Sequence, residues 1–173
     1  VGCAVMAYDY FNCDMVEAAH GRAPAVATGL KRSDPENHIV FTYQGDGDLA
    51  SIGMAETVHS AARNENITVI FINNAIYGMT GGQYSPLSGI GVSATTAPYG
   101  NIDREFDTVR LALGAGATFV ARTTTYHMRE MISIFKKALQ HEGFAVVEVL
   151  SQCPTYFGRK NKLGDAVRMM ERY

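Results

Sequence analysis

Four short stretches of the chain are continuously apolar, and they alternate with longer stretches in which apolar residues recur at helical spacing. His38 to Gln44 ends in glycine and reads as a buried strand. Ile67 to Ile72 is almost wholly β-branched with no polar alternation, the pattern of a parallel strand covered on both faces. Thr118 to Ala121 and Ala145 to Leu150 predict two more strands. Between them, Leu49 to Arg63 lacks proline and spreads Ala, Met, Ile and Val over several faces, which predicts a largely buried helix. Asp103 is placed to cap a helix running to about Leu113. From Tyr126 to Gln140, Met128, Met131, Ile132, Phe135 and Leu139 repeat at helical spacing, with Lys136 and Lys137 at the end that favours cations. The order β-α-β-α-β-α-β predicts an α/β fold, a doubly wound and mostly parallel sheet with helices on both faces. Upstream, Asp14 to about Leu30 has a helical pattern that Pro24 interrupts, so two short helices are expected there.

The 173 residues carry no repeat, low-complexity tract or obvious linker, so one domain spanning 1–173 is expected. The composition is that of a globular protein, 47% hydrophobic and 18% charged. A formal charge of -2 offers no basic field for nucleic acid and no polybasic patch for a membrane. No apolar run reaches the roughly 20 residues of a membrane span, and no signal peptide is visible, so a cytoplasmic location is expected. The first residue is Val1, which suggests a segment upstream of it. Three scattered cysteines, Cys3, Cys13 and Cys153, do not make a disulfide scaffold.

In open parallel sheets, ligands bind outside the carboxyl ends of the strands. Two polar motifs fall there: Gly45-Asp46-Gly47-Asp48 after the first strand, and Asn73-Asn74 after the second. Glycines let backbone approach phosphate oxygens, and the start of a following helix favours negative charge. Magnesium takes hard oxygen ligands, commonly a few from protein with the rest from substrate phosphates and water. Asp46 offers a carboxylate, Asn74 an amide oxygen, and a carbonyl such as that of Ile76 a third ligand. A Gly-Asp-Gly-Asp tetrapeptide alone would more often be a plain turn. Its pairing with an Asn doublet, 28 positions from Asp46 to Asn74, is the stronger signal. A long stretch follows from Asn73 to Ile102, with six glycines and two prolines, and loops of that length inside a compact domain are usually functional.

That spacing resembles the thiamine diphosphate signature, Gly-Asp-Gly followed by about two dozen residues and an Asn pair. His20-Gly21-Arg22-Ala23, the run from Gly45 to Gly53, Arg63-Asn64, and the run from Tyr77 to Pro86 all fit one narrower pattern. Over nearly the whole chain, Val1 to about Arg159, the sequence resembles the β subunit of 2-oxoacid:ferredoxin oxidoreductases, in the 2-oxoglutarate and branched-chain 2-oxoacid group. The resemblance implies thiamine diphosphate and Mg2+ as cofactors, with Asp46, Asn74 and the Ile76 carbonyl as magnesium ligands. It implies a diphosphate cradle of Gly45, Gly47, Asp48, Gly78 and Met79, and places His20 and the Gly2-Cys3-Ala4 turn near the cofactor. His20 has a plainer reading as a core or capping residue.

The family also implies a [4Fe-4S] cluster on four thiolates. Cys3 and Cys153 match two of them, and the Cys-x-x-Cys pair that supplies the others is expected upstream of Val1. Cys13 matches no ligand and reads as a buried thiol. The implied reaction is coenzyme A-dependent oxidative decarboxylation of a 2-oxoacid, with electrons passed to ferredoxin. The glutamate that activates the cofactor is expected on a separate pyrimidine-binding α subunit, so Glu56 reads as a structural or interface group. Family members with charged or broad substrates place lysines near the positions of Met6 and Gly81. Their absence tilts the substrate toward apolar 2-oxoacids, while a partner arginine would keep 2-oxoglutarate open. Two other readings are a non-oxidative thiamine enzyme, disfavoured by the two cysteines, and a non-catalytic diphosphate-binding module.

Overall fold

The computed structural model describes residues 2–36 and 38–173, so Val1 and Asn37 lie outside the described residues. Four parallel strands form the centre: β1 (Phe41–Gly45), β2 (Thr68–Asn73), β5 (Phe119–Thr124) and β6 (Ala145–Leu150). Their order across the sheet is β1-β2-β6-β5. Two shorter strands, β3 (Ile76–Tyr77) and β4 (Gln83–Tyr84), pair as an antiparallel hairpin inside the glycine-rich stretch. The helices are α1 (Ala23–Ser33), α2 (Met54–Ala62), α3 (Thr108–Gly114), α4 (Met128–Leu139) and α5 (Ala166–Met170).

Both faces of the sheet are covered, as continuous apolar strands require. Val69 and Phe71 of β2 and Val146 of β6 pack on one face with Ala27 of α1, Ala61 of α2 and Ala112 of α3. Ile70 of β2 and Ala145, Val147 and Val149 of β6 pack on the other, against Ala138, Met131, Ile134 and Phe135 of α4. Phe11, after the 3-10 helix Gly2–Asp9, sets its ring edge-on to Phe41 and Tyr43 of β1. No helix among the described residues is long and apolar enough to cross a membrane.

Several local expectations shift. Pro24 does not break a helix but sits in the first turn of α1, where its missing N–H is no loss, and residues 11–20 form no regular element. The helix after the Gly-Asp-Gly motif begins as a π-type turn, Asp48–Ile52, and α2 starts at Met54. It is amphipathic rather than largely buried, with Ser51, Ala55, His59 and Ala62 exposed. Asp107, not Asp103, caps α3, its side chain accepting the Arg110 N–H at 3.1 Å. Cys13 is exposed, not buried.

Candidate functional site

β1 and β2 pair in register, Gly45 beside Ile72, so the segments leaving both strands turn out at the same edge of the sheet. A cavity of ≈ 380 Å³ lies there. Asp46, Asn74 and Ile76 line it together with Gly45, Gly47, Asp48, Gly78 and Met79. Cys3, Ala4 and His20 close it from the N-terminal segment. The fold thus brings to one cavity every side chain singled out from the sequence for a diphosphate and its metal. Gly2 is described only as the first residue of the 3-10 helix. Tyr43, Ile52, Ile72, Tyr77 and Thr80 also line the cavity and were not singled out as individual ligands. Strand alternation at Tyr43 and Ile72 was the available signal.

Asp46 is 2% exposed. Burial pushes its carboxyl up to about 6, and the charge of Glu148 adds to the rise. The Ser85 hydroxyl, donating to Oδ2 at 2.5 Å, and the Gly47 backbone N–H pull in the opposite direction. A carboxylate so placed gains most from a cation arriving in the cavity.

Asp48 has a different task. It accepts from the Gly21 N–H at 2.9 Å and from Gln44 Nε2 at 2.6 Å, and its Oδ1 lies 2.9 Å from His20 Nδ1. The carboxylate therefore holds His20 through one ring nitrogen and leaves Nε2 for whatever occupies the cavity. Gly47 is small for a packing reason: a Cβ there would lie 2.1 Å from the Tyr77 ring, whose hydroxyl donates to the Gly47 carbonyl at 3.2 Å. Around Gly45 the space is open to 4 Å.

The second half of the site is a tight turn. Asn73 Oδ1 accepts from the Ala75 N–H at 3.1 Å, and Asn74 Oδ1 from the Ile76 N–H at a long 3.3 Å. Ala75 adopts φ +58, the left-handed region an alanine seldom enters. Beneath the turn, Asn73 Nδ2 donates to Glu148 Oε1 at 2.7 Å, and Arg122 Nε donates to Glu148 Oε2 at 2.6 Å.

One carboxylate, one side-chain amide and one backbone carbonyl are hard oxygen donors of the kind magnesium takes, and the buried Asp46, with no cationic side chain against it among the described residues, fits that ion. The cysteines do not fit a cluster in the same way. Cys3 lines the cavity and is exposed, whereas Cys153 stands half-buried at the start of the turn Pro154–Gly158. Two thiolates fall short of four, and among the described residues no group of three or more His, Cys, Asp or Glu is placed to hold a metal. Glu56 takes an ion pair from Arg22, while its Oε2 is buried without a hydrogen-bond partner. It does not line the cavity.

Residues 1–149 match the family model described as thiamine pyrophosphate enzyme, C-terminal TPP binding domain. The chain belongs to this family. Among sequence relatives, this thiamine diphosphate-binding domain is 48% identical to the 2-oxoglutarate synthase subunit KorB of Methanocaldococcus jannaschii over 174 residues, covering 99% of the chain and 64% of that protein. It is 44% identical to the ketoisovalerate oxidoreductase subunit VorA of Methanothermobacter thermautotrophicus, covering 90% of the chain and 35% of that protein. Among solved structures, it superposes with a TM-score of 0.87 at 38% identity on the 2-oxoglutarate:ferredoxin oxidoreductase from Magnetococcus marinus, solved with 2-oxoglutarate, coenzyme A and succinyl-CoA bound. That match covers 90% of the chain and 53% of the other. The chain thus spans less than two thirds of these relatives' own length.

Proposed function

We propose that this domain is the diphosphate-binding part of a 2-oxoacid:ferredoxin oxidoreductase β subunit, acting in coenzyme A-dependent oxidative decarboxylation of a 2-oxoacid. The observation that carries the reading is the convergence of Asp46, Asn74 and Ile76 with the Gly45–Asp48 backbone on one cavity at the carboxyl ends of β1 and β2. Identity of 44–48% to subunits named for 2-oxoglutarate and for ketoisovalerate supports the class.

Asp46, Asn74 and the Ile76 carbonyl would hold Mg2+ against the cofactor's diphosphate. Gly45, Gly47, Gly78 and Met79 supply backbone beside the phosphates, where glycines allow close approach. Thiamine diphosphate, when bound, supplies the carbon centre at which a 2-oxoacid loses carbon dioxide. His20, fixed by Asp48, offers Nε2 into the cavity as a donor or acceptor of a proton. Cys3 and Ala4 border the same space from the N-terminal segment. No group of the chain is assigned the activation of the cofactor, which falls to a glutamate of a pyrimidine-binding α subunit. An obligate hetero-oligomer follows, with ferredoxin as electron acceptor and the cytoplasm as its compartment. Cys3 and Cys153 would be two of the four thiolate ligands of a [4Fe-4S] cluster.

The test is anaerobic reduction of a low-potential dye by the protein assembled with its partner subunits. Thiamine diphosphate, Mg2+, coenzyme A and a panel of charged and branched-chain 2-oxoacids are supplied. Reduction that depends on one 2-oxoacid supports the class and names the substrate. No reduction by a fully assembled, cofactor-loaded protein would point to a non-oxidative thiamine enzyme.

A further inference from the structure

Two serines in the glycine-rich stretch reach both halves of the candidate metal site from one turn. Ser85 and Ser88 are 1% and 0% exposed. The Ser85 hydroxyl accepts the Leu87 N–H at 3.2 Å and donates to Asp46 Oδ2 at 2.5 Å. Its own backbone N–H donates to Ser88 Oγ at 2.9 Å, and the Ser88 hydroxyl donates to the Ala75 carbonyl at 2.5 Å. The turn itself closes through the Ser88 N–H on the Ser85 carbonyl at 3.0 Å. Asn101 Nδ2 ties it down from further along, donating to the Ser88 carbonyl at 2.7 Å and to the Asp103 carbonyl at 2.9 Å.

These hydroxyls do more than satisfy one another. A carboxylate held at one oxygen cannot rotate freely, so Ser85 sets the plane of Asp46. Ala75, the residue between Asn74 and Ile76, has its N–H held by Asn73 and its carbonyl by Ser88. A left-handed alanine is strained and persists where its surroundings fix it. Its conformation decides where the Asn74 amide and the Ile76 carbonyl point.

We infer that Ser85 and Ser88 are positioning residues that hold Asp46 and the Asn74–Ile76 turn in one mutual geometry suited to a small octahedral cation. The inference rests on the magnesium and diphosphate reading of the cavity. Magnesium demands near-ideal octahedral geometry, whereas calcium accepts irregular oxygen sets of variable number. Loosening the serine turn therefore penalises magnesium selectively, which a general loss of stability would not do.

The experiment is equilibrium dialysis of thiamine diphosphate against the protein assembled with its partner chains, titrated separately with Mg2+ and with Ca2+. Ser85→Ala and, independently, Ser88→Ala are expected to weaken the Mg2+ requirement constant roughly tenfold or more, the scale of losses on removing a group that orients a metal ligand. The Ca2+ constant is expected to move by less than about threefold, because its geometry is tolerant. Ser85→Thr, which keeps the hydroxyl, should restore the wild-type preference. Equal losses for both cations, or none, in variants whose wild type binds the cofactor with Mg2+ would overturn the inference and leave the proposed function standing. Wild-type protein that retains no cofactor with either cation would overturn both.

Discussion

Asp46 and Glu65 are both buried carboxylates, and they sit at opposite ends of the sheet. Glu65 lies just before β2, at 7% exposure, and two arginines come to it: Arg32 at 2.5 Å and Arg63 at 2.7 Å. Burial alone would raise its carboxyl, but hydrogen bonds and charge from those arginines outweigh it and hold the group below the usual range. Asp46, at the carboxyl end of β1, is held by a serine hydroxyl and stands near a second acid, and its carboxyl rises to about 6. Glu148 belongs with Glu65, since Arg122 meets it at 2.6 Å. Glu65 and Glu148 are each buried against arginine, whereas Asp46, in the cavity, has no arginine or lysine against it among the described residues. Asp48, which shares the cavity, is satisfied instead by Gly21, Gln44 and His20. The difference separates structure from function among the buried acids of one sheet.

The contrast can be broken from its structural side. Arg122→Met strips Glu148 of its cation and leaves a buried charge held by Asn73, with the carboxyl of Asp46 nearby. The loss should be about 2 kcal/mol in a denaturant titration near neutral pH, short of the scale for a fully buried pair because Arg122 itself is half exposed. A loss under about 1 kcal/mol would show that a buried acid tolerates isolation here, and Asp46 would cease to be exceptional.

From the functional side, the prediction has the opposite sign. In the unfolded chain Asp46 gives up its proton near 3.8, but in the metal-free fold it keeps it to about 6. The folded state binds the extra proton between those values, so stability falls as pH climbs through that window and stays lowered above it. Asp46→Asn removes the penalty. In metal-free protein it should raise stability by about 3 kcal/mol above pH 6, and the gain should vanish below about pH 4. A differential scan at three pH values decides it, and a destabilised variant at pH 7 would contradict the burial argument.

Glu65→Gln should cost less, on the order of 1–2 kcal/mol at neutral pH, since its arginines are half exposed and screened. Glu65 has a folded value below its ordinary 4.5, so its contribution is present above that value. It is lost as pH falls through the lower folded one. A difference between variant and wild type that persisted into strong acid would show that packing, not charge, was at stake.

The sheet was legible because its strands are written in local composition. Ala145–Leu150 emerges with the bounds read from the sequence, and Thr68–Asn73 is displaced by one residue from the expected Ile67 to Ile72. Where a residue type has two uses, local reading chose wrongly. Pro24 was read as a breaker and serves as a helix starter, and the cap expected at Asp103 is supplied by Asp107, four positions on. The cavity residues were legible because a diphosphate and its metal need particular residue types after particular strands. The groups that orient them were not. Ser85 meets Asp46 across 39 positions, and Glu148 meets Asn73 across 75, contacts that only the folded chain creates. Cys13 was expected inside by its chemistry, but it falls in an irregular segment with no layer to cover it.

The most direct test of the central claim is the binding of thiamine diphosphate with and without Mg2+ by wild type and Asp46→Asn, each in assembled protein. Wild type should bind with a Mg2+ dependence that weakens about tenfold per pH unit below about 6, as the metal competes with the Asp46 proton. Asp46→Asn should lose at least about a hundredfold in Mg2+-dependent affinity, about 2.7 kcal/mol, while its metal-free fold is the more stable of the two. Equal affinity in the two proteins would contradict the assignment of Asp46 as the magnesium carboxylate and, with it, the account of why that acid is buried without a cation.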